Sequence, residues 1–282
     1  FTVIGVGLRH LDPFMLTALR FTFSAFPLLF FLPWPTKVPA WVVPVYGTVF
    51  GAGLWGGVNL AMHVGLSAGL ASLVLQFSAF MTLLGSVWLL GERVPGVRWV
   101  GAAVAAAGLL LLVVAGPGSR TLAGIALVLQ AVLCWAVCNL LVKRFRPPHM
   151  LAFVVWSSAF AAPVLFALAW VVKGAAPFAP LLTGLPGQAW FSILFQAYIT
   201  TVLGYFAWNS LLSRYPASTV APLSLLVPVS GLLTAWWVSA ERLAPLQWGA
   251  IAVILAGLSL FILGPRRLLP AILRRSRRPR DR

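Results

Sequence analysis

Between Lys37 and Glu92 no residue carries a formal charge, and that single interval decides much of what this chain can fold into. An ordinary soluble domain is about a quarter Asp, Glu, Lys and Arg, so a surface facing water cannot be built from such a stretch. It has room instead for two helices of about 20 apolar residues, the length that crosses the hydrocarbon of a bilayer. Four further charge-free intervals, 99–119, 121–142, 215–240 and 243–265, have room for one span each. Composition agrees: of 282 residues, 61% are hydrophobic and 9% charged. Runs such as 109–114 and 225–229 are apolar on every face, unlike the short alternating strands of a membrane β-barrel.

Breaks at proline, glycine and charged residues divide the chain into spans at about 13–32, 41–66, 68–90, 97–114, 122–142, 149–172, 189–212, 217–239 and 245–263. Residues 1–8 form an apolar piece too short to span, expected to be the downstream part of a first helix. The expected fold is therefore an all-α polytopic membrane protein with ten transmembrane helices, the first truncated in this sequence. Basic residues orient it. Lys37, Arg93, Arg98, Lys143, Arg144, Arg146, Arg214 and eight arginines after Leu263 fall on one side. Arg9, Arg120, Lys173 and Arg242 fall on the other. The positive-inside rule then places both termini in the cytoplasm. The net charge of +16 has its explanation in that topology and in attraction to anionic membrane lipids, so a nucleic-acid partner is not expected.

From Ala68 onward a shift of 149 positions lays the second half on the first, while upstream of Ala68 it gives no convincing match. Ala68 falls on Ala217, Leu83-Leu84 on Leu232-Leu233, Glu92-Arg93 on Glu241-Arg242, Trp99 on Trp248 and Gly108 on Gly257. With only four acidic residues in the chain, a repeated Glu-Arg pair is informative. The expected domains are a five-helix repeat over 1–114, a second over 121–264, and a basic cytoplasmic tail over 265–282. An odd number of spans inverts the second copy relative to the first, the plan of many secondary transporters, with a solute site near the midplane.

The stretches Ala68-Gly69-Leu70-Ala71-Ser72-Leu73-Val74-Leu75-Gln76, Gly91-Glu92-Arg93 and Val220-Ala221-Pro222-Leu223-Ser224-Leu225-Leu226-Val227-Pro228 resemble the EamA family of the drug/metabolite transporter superfamily. They are closest to bacterial inner-membrane amino-acid exporters of the EamA and YddG kind. The resemblance covers nearly the whole chain. It implies ten helices, export of amino acids and related metabolites, and a central cavity lined mainly by helices 1, 3, 4, 6, 8 and 9.

Polar and aromatic residues inside those helices are the candidate substrate contacts. Trp55, Asn59, Met62 and His63 share one face of the third span at helical spacing. Ser72 and Gln76 lie one turn apart in the fourth, Trp135, Cys138 and Asn139 in the sixth, and Tyr198, Thr201, Tyr205 and Trp208 form a stripe in the eighth. Trp55, Asn59, His63, Gln76, Trp135, Asn139, Tyr205 and Trp208 are taken as the substrate-binding set. Amides and hydroxyls can bond the polar groups of a zwitterion, and aromatic faces can hold a cation or an apolar side chain. The competing roles are helix-to-helix hydrogen bonds for the amides and interface anchoring for the rings. Trp99 and Trp248, near span starts, read as such anchors. Arg20 lies two turns into the second span. It either attracts a carboxylate or pairs with backbone carbonyls, and the structural role is favoured.

Pro222 and Pro228 remove backbone hydrogen bonds from the ninth span and are candidate hinges. Gly51, Gly53, Gly56 and Gly57 allow close helix approach. No carboxylate lies in mid-membrane, so coupling is either absent, as in facilitated diffusion, or runs weakly through His63, whose ordinary pKa is near neutrality. Cys134 and Cys138 sit one turn apart inside a span and read as packing residues; two thiols do not make a zinc site. No cofactor is implied. His10, His63 and His149 lie in separate segments, so neither an intramembrane hydrolase nor a metalloenzyme has a candidate centre. A drug efflux transporter or lipid flippase would share the fold, and composition does not separate a monomer from a homodimer.

Overall fold

The structure, a computed structural model, describes residues 2–115, 121–229 and 244–275. Arg120, the Leu232-Leu233 and Glu241-Arg242 pairs, the far part of the ninth span and the last arginines lie outside the described residues.

Every regular element among the described residues is helical. α1 (Thr2–Leu8) is followed by α2 (Pro13–Ala25). The start of α2 is written in its sequence. The Asp12 carboxylate accepts the N–H groups of Phe14 at 2.9 Å and Met15 at 3.4 Å, and Pro13 stands where a missing N–H costs nothing. All of α2 except Thr22 and Phe23 is buried, because apolar side chains surround it on every face and neighbours cover them all.

α3 (Val42–Thr48), a π-helical stretch Val49–Gly56 and α4 (Gly57–His63) run on as one continuous helix. α5 (Ala68–Leu75) and α6 (Ser78–Leu90) are two halves of a span broken at Gln76 and Phe77. Gly91 ends α6 in the left-handed conformation, φ 66°, which glycine adopts without steric cost. α7 (Gly96–Ala115), α8 (Leu122–Phe145) and α9 (Met150–Lys173) follow. After the short α10 (Ala179–Thr183), α11 (Gly187–Leu194) passes through a second π-helical stretch, Phe195–Gly204, into α12 (Tyr205–Arg214). α13 (Ala217–Val220) continues as a 3₁₀ turn, Ala221–Leu225, with Pro222 in its first turn. α14 (Pro245–Arg275) closes the described chain.

Among the described residues seven helices are long and apolar enough to cross a membrane: Pro13–Phe30, Ala68–Leu90, Gly96–Val114, Leu122–Phe145, Met150–Lys173, Gly187–Arg214 and Pro245–Ile262. Ala217–Val229 is a shorter apolar helix. The chain is a multi-pass α-helical membrane protein. Its last span, Pro245–Ile262, ends within a residue of the expected boundary, and the backbone stays helical beyond it to Arg275.

Polar contacts mark the two ends of the bundle. At one end Lys173 pairs with Asp12 at 2.6 Å and approaches His63 at 3.4 Å, and His10 meets Gln188 at 3.3 Å. At the other, Glu92 receives the N–H groups of Ala217 and Ser218, and Lys143 donates to the Tyr215 carbonyl at 2.6 Å. Arg98 donates to Thr219 at that same end, 3.1 Å away.

α7 and α14 pack with almost no separation. A Cβ on Gly101 would stand 2.8 Å from the Gly257 carbonyl oxygen, and one on Gly257 the same distance from that of Gly101. Close approach at small residues is how helices gain van der Waals contact in lipid, where no hydrophobic force drives them together. The third-span glycines act likewise: a Cβ on Gly53 would lie 2.7 Å from the Cys134 sulfur.

Candidate functional site

The helices converge on a cavity of about 510 Å³ in the middle of the bundle. Both π-helical stretches border it, Val49–Gly56 through Trp55 and Phe195–Gly204 through Phe195, Gln196, Thr200 and Gly204. A π-turn widens the helix and re-aims its side chains, which is why such turns recur at functional sites. The break between α5 and α6 adds Leu75 and Gln76, and α8 and α12 add Trp135, Tyr205 and Trp208. Val3 and Ile4 close it from α1, and Val227 from beyond the 3₁₀ turn.

One wall is aromatic. Trp135 and Trp208 lie with ring centroids 6.3 Å apart, and Trp55 meets Tyr205 edge-on at 6.4 Å. Tyr205 packs in turn against Phe50 at 4.4 Å. Such rings present large apolar faces with restricted motion.

The few polar side chains in the remaining, mostly apolar lining are incompletely satisfied. Gln76 donates to the Ser72 carbonyl at 3.2 Å and Gln196 to the Ser192 hydroxyl at 2.9 Å. The amide oxygens of both glutamines are buried and accept no hydrogen bond. Arg20 enters from α2, fully buried, and its Nε donates to the Thr201 hydroxyl at 2.7 Å. Its guanidinium carbon lies 4.1 Å from the centroid of Trp55. The two terminal nitrogens have no hydrogen-bond partner. Among the described residues lining the cavity Arg20 alone is charged.

Of the residues expected from sequence, Trp55, Gln76, Trp135, Tyr205 and Trp208 stand together on this cavity. Asn59 and Asn139 stand behind it. Asn59 donates to Thr17 at 2.6 Å; it shares the Trp55 face, but one turn on α2 closes against that face and leaves no space. Asn139 bridges two neighbours, accepting the Trp208 indole N–H at 3.0 Å and donating to Thr82 at 3.1 Å. His63 departs from expectation. It is the exposed last residue of α4, beside Lys173 at the Asp12 end, not a group well inside a span. The helix simply stops there, one residue before the turn at Val64.

Arg20, for which sequence favoured a structural role, and Gln196, which it did not single out, both line the cavity. The signal for Arg20 was present, since an ionisable residue within a span is a functional candidate by default. The signal for Gln196 was weaker: an amide one turn before Thr200 and five positions before Thr201. Trp99 and Trp248 are part-exposed near helix starts, as interface anchors would be. Among the described residues no cluster of His, Cys, Asp or Glu could hold a metal ion.

Comparison with known proteins gives a consistent result. The model of the EamA-like transporter family matches twice, at residues 1–114 and 122–263. The chain is 36% identical over 272 residues to a "Probable amino-acid metabolite efflux pump" of Escherichia coli K12, covering 94% of this chain and 91% of that protein. It is 28% identical over 222 residues to a "Probable terminal-alkyne amino-acid exporter" of Streptantibioticus cattleyicolor, covering 76% of this chain and 69% of that one. A solved crystal structure superimposes with a TM-score of 0.70 at 21% identity, covering 93% of this chain and 98% of the other, which speaks to the fold alone.

Proposed function

The chain belongs to the EamA-like transporter family and is a transporter rather than an enzyme, and from that premise we propose that it exports amino acids and related small metabolites by alternating access around the central cavity. The observation that carries this reading is the chemistry of that cavity. Two unsatisfied amide oxygens and an arginine share a space of about 510 Å³ with five aromatic side chains, a few polar groups for orientation on an otherwise apolar surface. Relatives named as amino-acid exporters point the same way.

Alternating access rests on a ten-helix plan of two inverted five-helix repeats, which three observations support. The family model matches each half separately. Each half carries one π-helical stretch, Val49–Gly56 in the first and Phe195–Gly204 in the second. The 149-position shift, which holds from Ala68 onward, carries Gly101 onto Ala250 and Gly108 onto Gly257. The Gly101–Gly257 contact therefore has a counterpart in the approach of Gly108 to the Ala250 carbonyl, 3.1 Å from an added Cβ. A contact that maps onto itself when the halves exchange is the mark of a twofold relation. Each half then supplies one π-turn to a site between them.

The basic Glu92 end faces the cytoplasm of a bacterial inner membrane in this reading, with both termini on that side. The Glu92 contacts to Ala217 and Ser218 join the first half to the second there. Among the described residues no carboxylate lines the cavity, and facilitated diffusion is the coupling taken in this reading.

Broad efflux of lipophilic cations on the same fold is the rival reading. Displacement of a labelled amino acid from the purified protein tests the two. Export of amino acids predicts displacement by other amino acids and indifference to lipophilic cations such as tetraphenylphosphonium. The opposite ranking assigns the protein to drug efflux.

A further inference from the structure

We propose that Arg20 is the carboxylate-binding residue of the cavity, so that a substrate must carry a free carboxylate to be held there. This deepens the reading of the cavity as the substrate site and rests on it.

Three observations carry the proposal. First, Arg20 is fully enclosed yet uses one of its three nitrogens: Nε donates to Thr201 at 2.7 Å, while Nη1 and Nη2 are buried without a partner. A purely structural arginine in a low-dielectric interior is expected to spend its donors on carbonyls or hydroxyls, because a buried charge left unsatisfied is costly. Second, the carboxylates among the described residues are committed elsewhere. Asp12 caps α2 and pairs with Lys173, and Glu92 caps α13 at the far end. Third, the guanidinium is held in place. Thr201 fixes Nε, and the rings of Trp55 and Phe21 lie 4.1 and 5.4 Å from its central carbon. A guanidinium so braced keeps its terminal pair of N–H groups free for a bidentate carboxylate, the geometry for which arginine is suited and lysine is not.

The remaining polarity of the site fits the other pole of the same molecule. The free amide oxygens of Gln76 and Gln196 are acceptors only, suited to an ammonium group and not to a carboxylate. A carboxylate neutralises Arg20 and satisfies its terminal nitrogens. A carboxamide satisfies part of the hydrogen bonding without the charge. A decarboxylated amine brings a second cation to a site that already holds one. The predicted order of binding is amino acid, then carboxamide, then amine.

The test uses purified protein and four forms of whichever amino acid binds most tightly: the amino acid, its carboxamide, its decarboxylated amine and its deaminated acid. Affinity is read by displacement of the labelled amino acid or directly by tryptophan fluorescence. Wild type is expected to prefer the amino acid over the carboxamide by about 10- to 100-fold, the range of a charge-assisted hydrogen-bonded pair. Arg20→Gln is expected to lose that preference, and Arg20→Lys to keep part of it. If Arg20→Gln does not fold, Thr201→Val carries the test. Freeing Nε is expected to weaken the amino acid and leave the carboxamide unchanged, a split that a general packing defect would not produce. Equal binding of amino acid, carboxamide and amine by wild type overturns the role of Arg20 while leaving amino-acid export standing. Binding of deaminated acids in an Arg20-dependent way, with no amino acid bound, supports the carboxylate site and overturns the amino-acid reading. Binding of no carboxylate in any form overturns both.

Discussion

Glu92 and Ala217 meet across 125 positions of sequence, the carboxylate Oε1 of the one accepting the backbone N–H of the other at 2.9 Å. Oε2 takes the next N–H, that of Ser218, also at 2.9 Å. Glu92, two residues past the end of α6, thus caps the start of α13, where first-turn N–H groups have no partner within their own helix. Lys143 stands 3.9 Å from the same carboxylate while donating to Tyr215.

This cap makes stability depend on acid. Burial pushes the Glu92 carboxyl up, but the side chain and N–H of Ser218, the N–H of Ala217 and the charge of Lys143 outweigh it and hold the group below its ordinary 4.5. A carboxyl lowered in the folded state contributes stability above the ordinary value and loses it as pH falls through the lowered one. Glu92→Gln is expected to cost about 2 kcal/mol near neutrality, and to flatten the acid limb of the stability profile. Thermal unfolding in detergent between pH 7 and pH 3 reads both effects.

Asn139 links Trp208 to Thr82 without lining the cavity. Asn139→Leu leaves the Trp208 N–H and the Thr82 hydroxyl short of a partner, at a cost of about 1–3 kcal/mol. Because Trp208 forms part of the wall, substrate affinity is expected to fall as well. Paired melting and binding measurements separate this variant from one that only destabilises.

The contact of α7 with α14 tolerates no side chain at Gly257, where an added Cβ would stand 2.8 Å from both the Ala105 Cα and the Gly101 carbonyl oxygen. Gly257→Leu is expected to separate the two helices and lower the yield of folded protein. Gly249, on the same α14, has nothing within 4 Å of an added Cβ. Gly249→Ala is expected to hold or slightly raise the melting temperature, since alanine is the better helix former by about 1 kcal/mol.

His63 is exposed at the end of α4 beside Lys173 and does not line the cavity. His63→Asn is expected to leave transport rate and its pH dependence within about twofold of wild type; a factor of two is a free-energy difference well below 1 kcal/mol. Transport assays at pH 6 and pH 8 decide this.

Sequence made the bundle legible because lipid imposes its demands on every residue of a span. Charge-free intervals located the long helices, Asp12-Pro13 marked a helix start and Gly91 an end. The aromatic wall was legible too, since Trp135, Tyr205 and Trp208 sit on expected spans at helical spacing. Other features were not. The π-helical stretches shift side-chain directions without any proline or charge to announce them, so the depth of Asn59 relative to Trp55 was hidden. The role of Asn139 depends on a partner 69 positions away, and Arg20 could be weighed only once its two unpartnered nitrogens and Thr201 were in view.

Transport by purified protein in liposomes tests the central claim most directly. Liposomes loaded with unlabelled amino acids are challenged with a panel of labelled ones, and exchange is followed with and without an imposed pH gradient. At least one amino acid is expected to exchange saturably, faster than in protein-free liposomes and indifferently to the gradient, with Gln76→Ala or Trp208→Ala raising the half-saturating concentration. Exchange of no amino acid, alongside protein-dependent movement of a lipophilic cation, would contradict it.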